Sequence, residues 1–185
     1  MKASLEPHLT PEAYLEEEAR GGRKCEYLDG TIWAMVGASD AHVTIAGNLF
    51  VFLRQHLSPP CRTYISGMKV HIPKANAFFY PDVLITCDPR DAGKPLFKEH
   101  PCLIAEVLSP STEAFDRGQK FAIFRMLDSL TEYLLIDSTR ISVERFSREK
   151  GRWVLYPHGE GETVTIASLG LDIPVNALYQ DVTFP

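Results

Sequence analysis

Two short apolar runs in this chain each contain a carboxylate, and this constrains the fold more than any other feature of the sequence. Phe79-Tyr80-Pro81-Asp82-Val83-Leu84-Ile85-Thr86 carries Asp82 at the start of its apolar part, and Cys102-Leu103-Ile104-Ala105-Glu106-Val107-Leu108 carries Glu106 deep inside. Runs of this length between polar loops read as buried strands. A carboxylate enclosed in one must be paired, protonated or bound to a cation, because an isolated buried charge costs several kcal/mol or more. After the second run, Ser109-Pro110-Ser111-Thr112 caps a helix reaching about Asp128, with Phe115, Ile123, Phe124 and Leu127 as inward candidates. Glu132-Tyr133-Leu134-Leu135-Ile136-Asp137 follows as a strand. Strand, helix and strand in that order imply a right-handed crossover.

The rest of the chain reads as scaffold. Thr10-Pro11-Glu12 opens a short helix that ends at Gly21-Gly22, and its acidic run Glu16-Glu17-Glu18 reads as a solvated face. Asp29-Gly30 between two strand-like runs signals a tight hairpin. Val43, Ala46, Leu49, Phe50, Leu53 and Leu57 recur at helical spacing, predicting a core-facing helix of about four turns that stops at Ser58-Pro59-Pro60. Arg62 to Ile65 and Lys69 to Ile72 look like two short strands around Gly67. The polar segment 88–95, with two prolines and a glycine, reads as a mobile rim. Three further strand-like runs around Val143, Val154 and Val164, separated by Gly-containing turns, predict antiparallel pairing. The expected architecture is α/β, a central mixed β-sheet flanked by helices, with an N-terminal helix and β-hairpin in a single domain spanning 1–185.

Composition excludes several function classes. The 185 residues, 45% hydrophobic and 23% charged, suit a globular protein, and a net charge of -5 argues against a protein that coats nucleic acid through bulk positive charge. Cys25, Cys61, Cys87 and Cys102 form no Cys-x-x-Cys pair, so reduced, buried thiols are expected and no zinc knuckle or redox dithiol is signalled. Met1 to His8 contain no apolar export core, and no stretch of eighteen uncharged apolar residues occurs, so a cytoplasmic protein is expected. Ser109 and Ser111 lack the Gly-x-Ser-x-Gly elbow of a serine hydrolase and serve a helix cap.

If the strands of Asp82 and Glu106 are neighbours, their carboxylates converge and need a shared proton or a cation between them. All-oxygen donors favour Mg²⁺ or Mn²⁺. Lys120 lies two to three turns into the following helix, which folds back over the sheet. Two carboxylates holding a divalent cation beside an ammonium suit attack of water on a phosphodiester. Asp116 and Lys120, four apart, equally fit an exposed ion pair, and Glu26 in an alternating strand equally fits a solvent-facing acid.

Pro81-Asp82, Glu106-Val107-Leu108-Ser109-Pro110-Ser111-Thr112, Asp116-Arg117 and Lys120 together resemble the signature of the Uma2 family (DUF820) in the PD-(D/E)XK nuclease superfamily. Glu26-Tyr27-Leu28-Asp29-Gly30, Met35, His42 and Glu132-Tyr133 extend the resemblance over about Tyr14 to Asp137. It implies a restriction-endonuclease-like fold and a homodimeric, metal-dependent endonuclease acting on DNA. Asp82 and Glu106 would be metal ligands, joined by the Val107 carbonyl, and Lys120 the catalytic lysine, with Glu26, His42 and Asp116 in support. The same resemblance admits a non-catalytic module that binds nucleic acid or protein. Leu108 stands where the superfamily pattern puts its lysine, Phe124 where the family often has tyrosine, and Leu134 where tryptophan is usual.

Overall fold

The computed structural model describes residues 9–21, 24–35 and 37–184. The Met1 to His8 segment read above for an export signal, and Gly22 of the expected helix stop, lie outside those residues. Helix α1 (Pro11–Ala19) begins where Thr10 accepts the backbone N–H of Ala13 and proline fills the first turn. Strands β1 (Cys25–Leu28) and β2 (Thr31–Ala34) form the expected hairpin, with Asp29 at φ 43° and Gly30 at φ 85°, the paired positive φ values that Asp-Gly tolerates.

Helix α2 (Asp40–His56) is capped by Ser39, whose hydroxyl accepts the His42 N–H, and its 17 residues exceed the four turns expected at about 3.6 residues each. Its buried stripe is Ala41, Ile45, Ala46, Leu49 and Leu53. Val43, expected in that stripe, is 59% exposed. Two residues from both Ala41 and Ile45, it stands about 200° around the helix from each.

The following strands are β3 (Arg62–Ile65), β4 (Lys69–Ile72), β5 (Ala77–Phe79), β6 (Val83–Thr86), β7 (Phe97–Lys98), β8 (Leu103–Leu108), β9 (Glu132–Asp137), β10 (Val143–Glu149), β11 (Arg152–His158), β12 (Thr163–Ile166) and β13 (Leu171–Pro174). Among the described residues they make a larger mixed sheet flanked by helices, a second sheet and a small pair: β11-β10-β9-β8-β6-β3, β2-β1-β5-β4-β7, and β12-β13. The larger sheet is mixed, with β8 and β9 parallel and its other pairs antiparallel. The run from Phe79 to Thr86 is therefore two strands, and Tyr80-Pro81-Asp82 carries the chain between sheets. Pro81 has no N–H for a ladder, and the residue before a proline is confined to extended backbone, which makes this the natural place to break.

The larger sheet is covered on both faces. The α2 stripe packs on Val83, Ile85, Leu103, Ala105, Val107, Leu134 and Ile136, with the C-terminal helix α5 (Val175–Leu178) in the same cluster. On the other face Leu84, Ile104, Leu108, Tyr133 and Leu135 meet Phe121, Ile123 and Phe124, together with Val70, Ile72 and Phe79 of the smaller sheet. Side chains alternate along a strand, so Glu106, between Ala105 and Val107, points into this second layer.

The helix after β8 consists of α3 (Glu113–Phe115), a π-helical turn at Asp116–Lys120 and α4 (Phe121–Phe124). It stops before the expected Asp128, because the Met126 and Leu127 N–H groups turn to the carbonyls three residues back, Ile123 and Phe124, each at 3.0 Å. The Arg148 guanidinium donates to the carbonyls of Arg125, Leu127 and Asp128 at 2.8, 2.9 and 3.1 Å, which satisfies the end of this segment.

Two further expectations are corrected. The segment after β6 is braced around Asp91, 2% exposed, which accepts from the Thr86 hydroxyl and the backbone N–H groups of Glu99 and His100 at 2.8, 2.9 and 3.0 Å. Cys61 and Cys87 are joined in a disulfide and are not reduced thiols. The register explains the pair: Arg62 lies opposite Thr86 across antiparallel β3 and β6, so the residues just outside face each other. Cys102 remains outside that bond, its Sγ 3.9 Å from that of Cys87.

Candidate active site

The β6–β8 ladder pairs Val83 with Ala105 antiparallel, and one step further along it Asp82 stands beside Glu106. The Asp82 N–H donates to Glu106 Oε2 at 3.4 Å, and the Val107 N–H donates to Asp82 Oδ2 at 2.8 Å. The other Asp82 oxygen meets His42 Nε2 at 3.0 Å, from the first turn of α2. Both sides of the Asp82 carboxylate are thereby fixed, by a backbone amide and an imidazole. The Val107 amide was not foreseen; a strand N–H that bonds a side chain and not a neighbouring strand leaves no mark in a sequence.

Lys120 reaches the same place from the other side. Its Nζ lies 3.0 Å from Glu26 Oε1, 2.9 Å from Glu106 Oε1 and 3.6 Å from Asp116 Oδ1. The contact with Glu106 Oε1 gives that buried oxygen its charged partner. A π-helical turn inserts one residue into the helical path and so changes the direction of the side chains around it. The buried Tyr133 phenol donates to the Asp116 carbonyl at 3.0 Å and ties this turn to β9. Asp116 and Lys120 are 4% and 5% exposed, so the exposed i,i+4 pair allowed by their spacing is not what forms. The Glu26 side chain, 14% exposed, is likewise turned inward. The fold thus brings Glu26, His42, Asp82, Glu106, Asp116 and Lys120 into one charged cluster.

The charges there do not balance: four carboxylates face one ammonium and one imidazole. Burial holds the Glu106 carboxyl well above the usual carboxylate range, with Asp116 and Asp82 adding to the rise and Lys120 opposing it. Burial likewise raises Asp116 against the opposing charge of Lys120. For Lys120 burial is the largest influence and works against its charge, but Glu106, Glu26 and Asp116 together outweigh it and hold the proton well above the ordinary lysine range. Both partners of the Lys120–Glu106 contact rise, the acid through burial and the ammonium through the three acids around it.

Four carboxylates gathered around one ammonium offer the all-oxygen donors that fit a hard divalent cation. Among the described residues no three acidic, histidine or cysteine side chains converge as a ready-made metal cage. Mg²⁺ does not need one, since one or two carboxylates with waters and substrate phosphates suffice. Asp82 and Glu106 supply that number.

A second polar cluster adjoins the first and was missed. Glu18, read as part of a solvated face, has a side chain only 12% exposed and pairs with the buried ammonium of Lys69, while its neighbours Glu16 and Glu17 are exposed. The available signal was its spacing: Glu18 is four residues after buried Tyr14, on the same side of α1. Tyr80 donates from its hydroxyl to Glu18 Oε1 at 2.5 Å and from its backbone N–H to Glu26 Oε1 at 3.1 Å.

Residues 11–176 match the model of the family Uma2, described as "Putative restriction endonuclease". Two proteins of Synechocystis sp. (strain ATCC 27184 / PCC 6803 / Kazusa) are similar along most of the chain. "Uncharacterized protein slr1290" is 38% identical over 180 residues, 96% of this chain and 95% of that one. "Uncharacterized protein sll1609" is 34% identical over 166 residues, 85% and 91% of the two. The fold is similar to the crystal structure of "a putative nuclease belonging to DUF820 from Anabaena variabilis ATCC 29413", with a TM-score of 0.76 and 16% identity, covering 95% of this chain and 99% of that chain. The family match and the two relatives carry the assignment, and the structural likeness supports the fold: the chain belongs to the Uma2 family.

Proposed function

We propose that this protein is a metal-dependent endonuclease that hydrolyses phosphodiester bonds in DNA. One observation carries the reading: acids from β1, the inter-sheet link and β8 converge near the helix-borne ammonium of Lys120, an all-oxygen donor set that suits a divalent cation. Asp82 and Glu106 would hold Mg²⁺ or Mn²⁺. The ion would supply an activated water and offset charge developing on the phosphate. The Val107 amide and His42 keep the Asp82 carboxylate aimed, and the π-helical turn keeps Lys120 beside it. Lys120, protonated at neutral pH, offsets negative charge where the phosphate enters. Glu26 and Asp116 hold that ammonium in place. A homodimer, with one centre for each strand, completes the reading.

The test is cleavage of plasmid DNA in Mn²⁺ by the wild type, Glu106→Ala and Lys120→Ala. Nicking by the wild type alone is expected, and equal cleavage by all three refutes the assignment. Lys120 already compensates part of the acidic charge without a metal, and this favours one second reading: a binding module of the same fold with an ion-paired centre. Calorimetry separates the two, because a folded protein that takes up no Mn²⁺ at millimolar concentration belongs to the second.

A further inference from the structure

We propose that Tyr80 is a positioning residue for this centre, held through its hydroxyl by Glu18 and Lys69 so that helix α1 fixes the aim of Asp82; the inference rests on the endonuclease reading above. The path is continuous. Tyr80 is 6% exposed and its hydroxyl lies 2.5 Å from Glu18 Oε1. The other Glu18 oxygen pairs with Lys69, which is 6% exposed and sits 5.4 and 5.7 Å from the ring centroids of Tyr14 and Tyr80. Tyr14 donates to the carbonyl of Cys25 at 2.7 Å, next to Glu26. From α1, therefore, one tyrosine contact leads to the strand of Glu26 and the other to the link that carries Asp82.

Tyr80 is well placed to act at a distance of two residues. Pro81 has a fixed φ and confines Tyr80 to extended backbone, so the Tyr80-Pro81 unit is stiff and the orientation of its ring is passed on to Asp82. The Tyr80 N–H also holds Glu26 Oε1 at 3.1 Å, the same oxygen that meets Lys120. Displacing Tyr80 therefore disturbs both Asp82, two residues on, and Glu26, an acid that holds the lysine. Apolar side chains of the same volume would dock α1 as firmly, since a buried ion pair is weak support for stability in itself. What the polar cluster adds is one defined position for the hydroxyl.

The test uses Tyr80→Phe, with the double variant Glu18→Ala/Lys69→Met as a second route that removes the tether without stranding a buried charge. Mn²⁺ affinity by calorimetry, kcat and KM on plasmid DNA, and the melting temperature are measured for each. For every variant that melts cooperatively, the expected result is Mn²⁺ binding weaker by about tenfold and kcat lower by about 10- to 100-fold, the range typical of residues that orient metal ligands, with KM for DNA unchanged. Restoring an acceptor, as Glu18→Gln/Lys69→Met, is expected to recover most of both. Tyr80→Phe or the double variant binding and cleaving as the wild type does overturns the positioning role alone. A wild type that neither binds Mn²⁺ nor cleaves takes the endonuclease reading down with it.

Discussion

Replacing Lys120 with methionine keeps the length of the side chain and removes the one ammonium among Glu26, Glu106 and Asp116. All three carboxylates then lose their counter-charge at a site where Glu106 and Asp116 are 3% and 4% exposed. Breaking a buried pair by removing one partner costs about 3–5 kcal/mol. For a protein of this size each kcal/mol shifts the melting temperature by about 2–4 °C, so a fall of about 6–20 °C is expected. The loss depends on pH, with a definite sign. Glu106 has a folded pKa raised above its ordinary 4.5 by burial, so its protonated form contributes stability that is complete below that value and is lost as pH rises through the folded pKa. Without Lys120 the folded pKa rises further, and the penalty for the charged form grows. Melts in chelator from about pH 5 to pH 8 should show a gap between wild type and variant that widens with pH. Coincident melts at pH 8, or a gap that narrows as pH rises, would refute the reasoning.

Two other perturbations probe the scaffold. Burial acts to raise the Asp91 carboxyl, but the N–H and hydroxyl donors around it outweigh that and hold it below the ordinary 3.8, so its contribution is present above that pH and lost in acid. Asp91→Asn should therefore melt lower than the wild type at neutral pH, by about 1–3 kcal/mol of lost hydrogen bonding, with a gap that closes towards pH 3; a gap constant with pH would count against the account. The Cys61–Cys87 bond spans 26 residues of sequence, and closing a loop of that length is worth about 3.5 kcal/mol in chain entropy. Dithiothreitol or Cys61→Ser should lower the melting temperature by about 7–14 °C, and unchanged melting would dismiss the bond as a staple.

What could be read from the sequence, and what could not, divides by the range of the interaction. The Asp-Gly hairpin and the bounds of β3 and β4 were legible because each depends on adjacent residues or one short periodicity. Asp82 and Glu106 stood out because an acid inside an apolar strand asks for a partner, whereas Glu26, His42 and Asp116 came from the family resemblance. The division into two sheets was not, since Phe79 to Thr86 is one apolar run interrupted only by Pro81 and Asp82. The disulfide depends on the β3–β6 register, a contact between positions far apart in sequence. Glu18 looked solvated because its own neighbours are; only the tertiary position of Lys69 turns it inward.

The wide turn at Asp116–Lys120 makes chain length as specific as residue identity in this part of the molecule. Leu108, where a strand-borne lysine would stand, is 3% exposed and belongs to the apolar layer that also holds Phe121 and Phe124. The charge sits instead on an element whose angular phase is set by one surplus residue. Deleting a residue within the turn would rotate the two halves of the helix by about 100° relative to each other and carry the ammonium away from Glu26 and Glu106. The charged centre and the packing of Phe121, Ile123 and Phe124 on the sheet thus share one dependence on the phase of this helix.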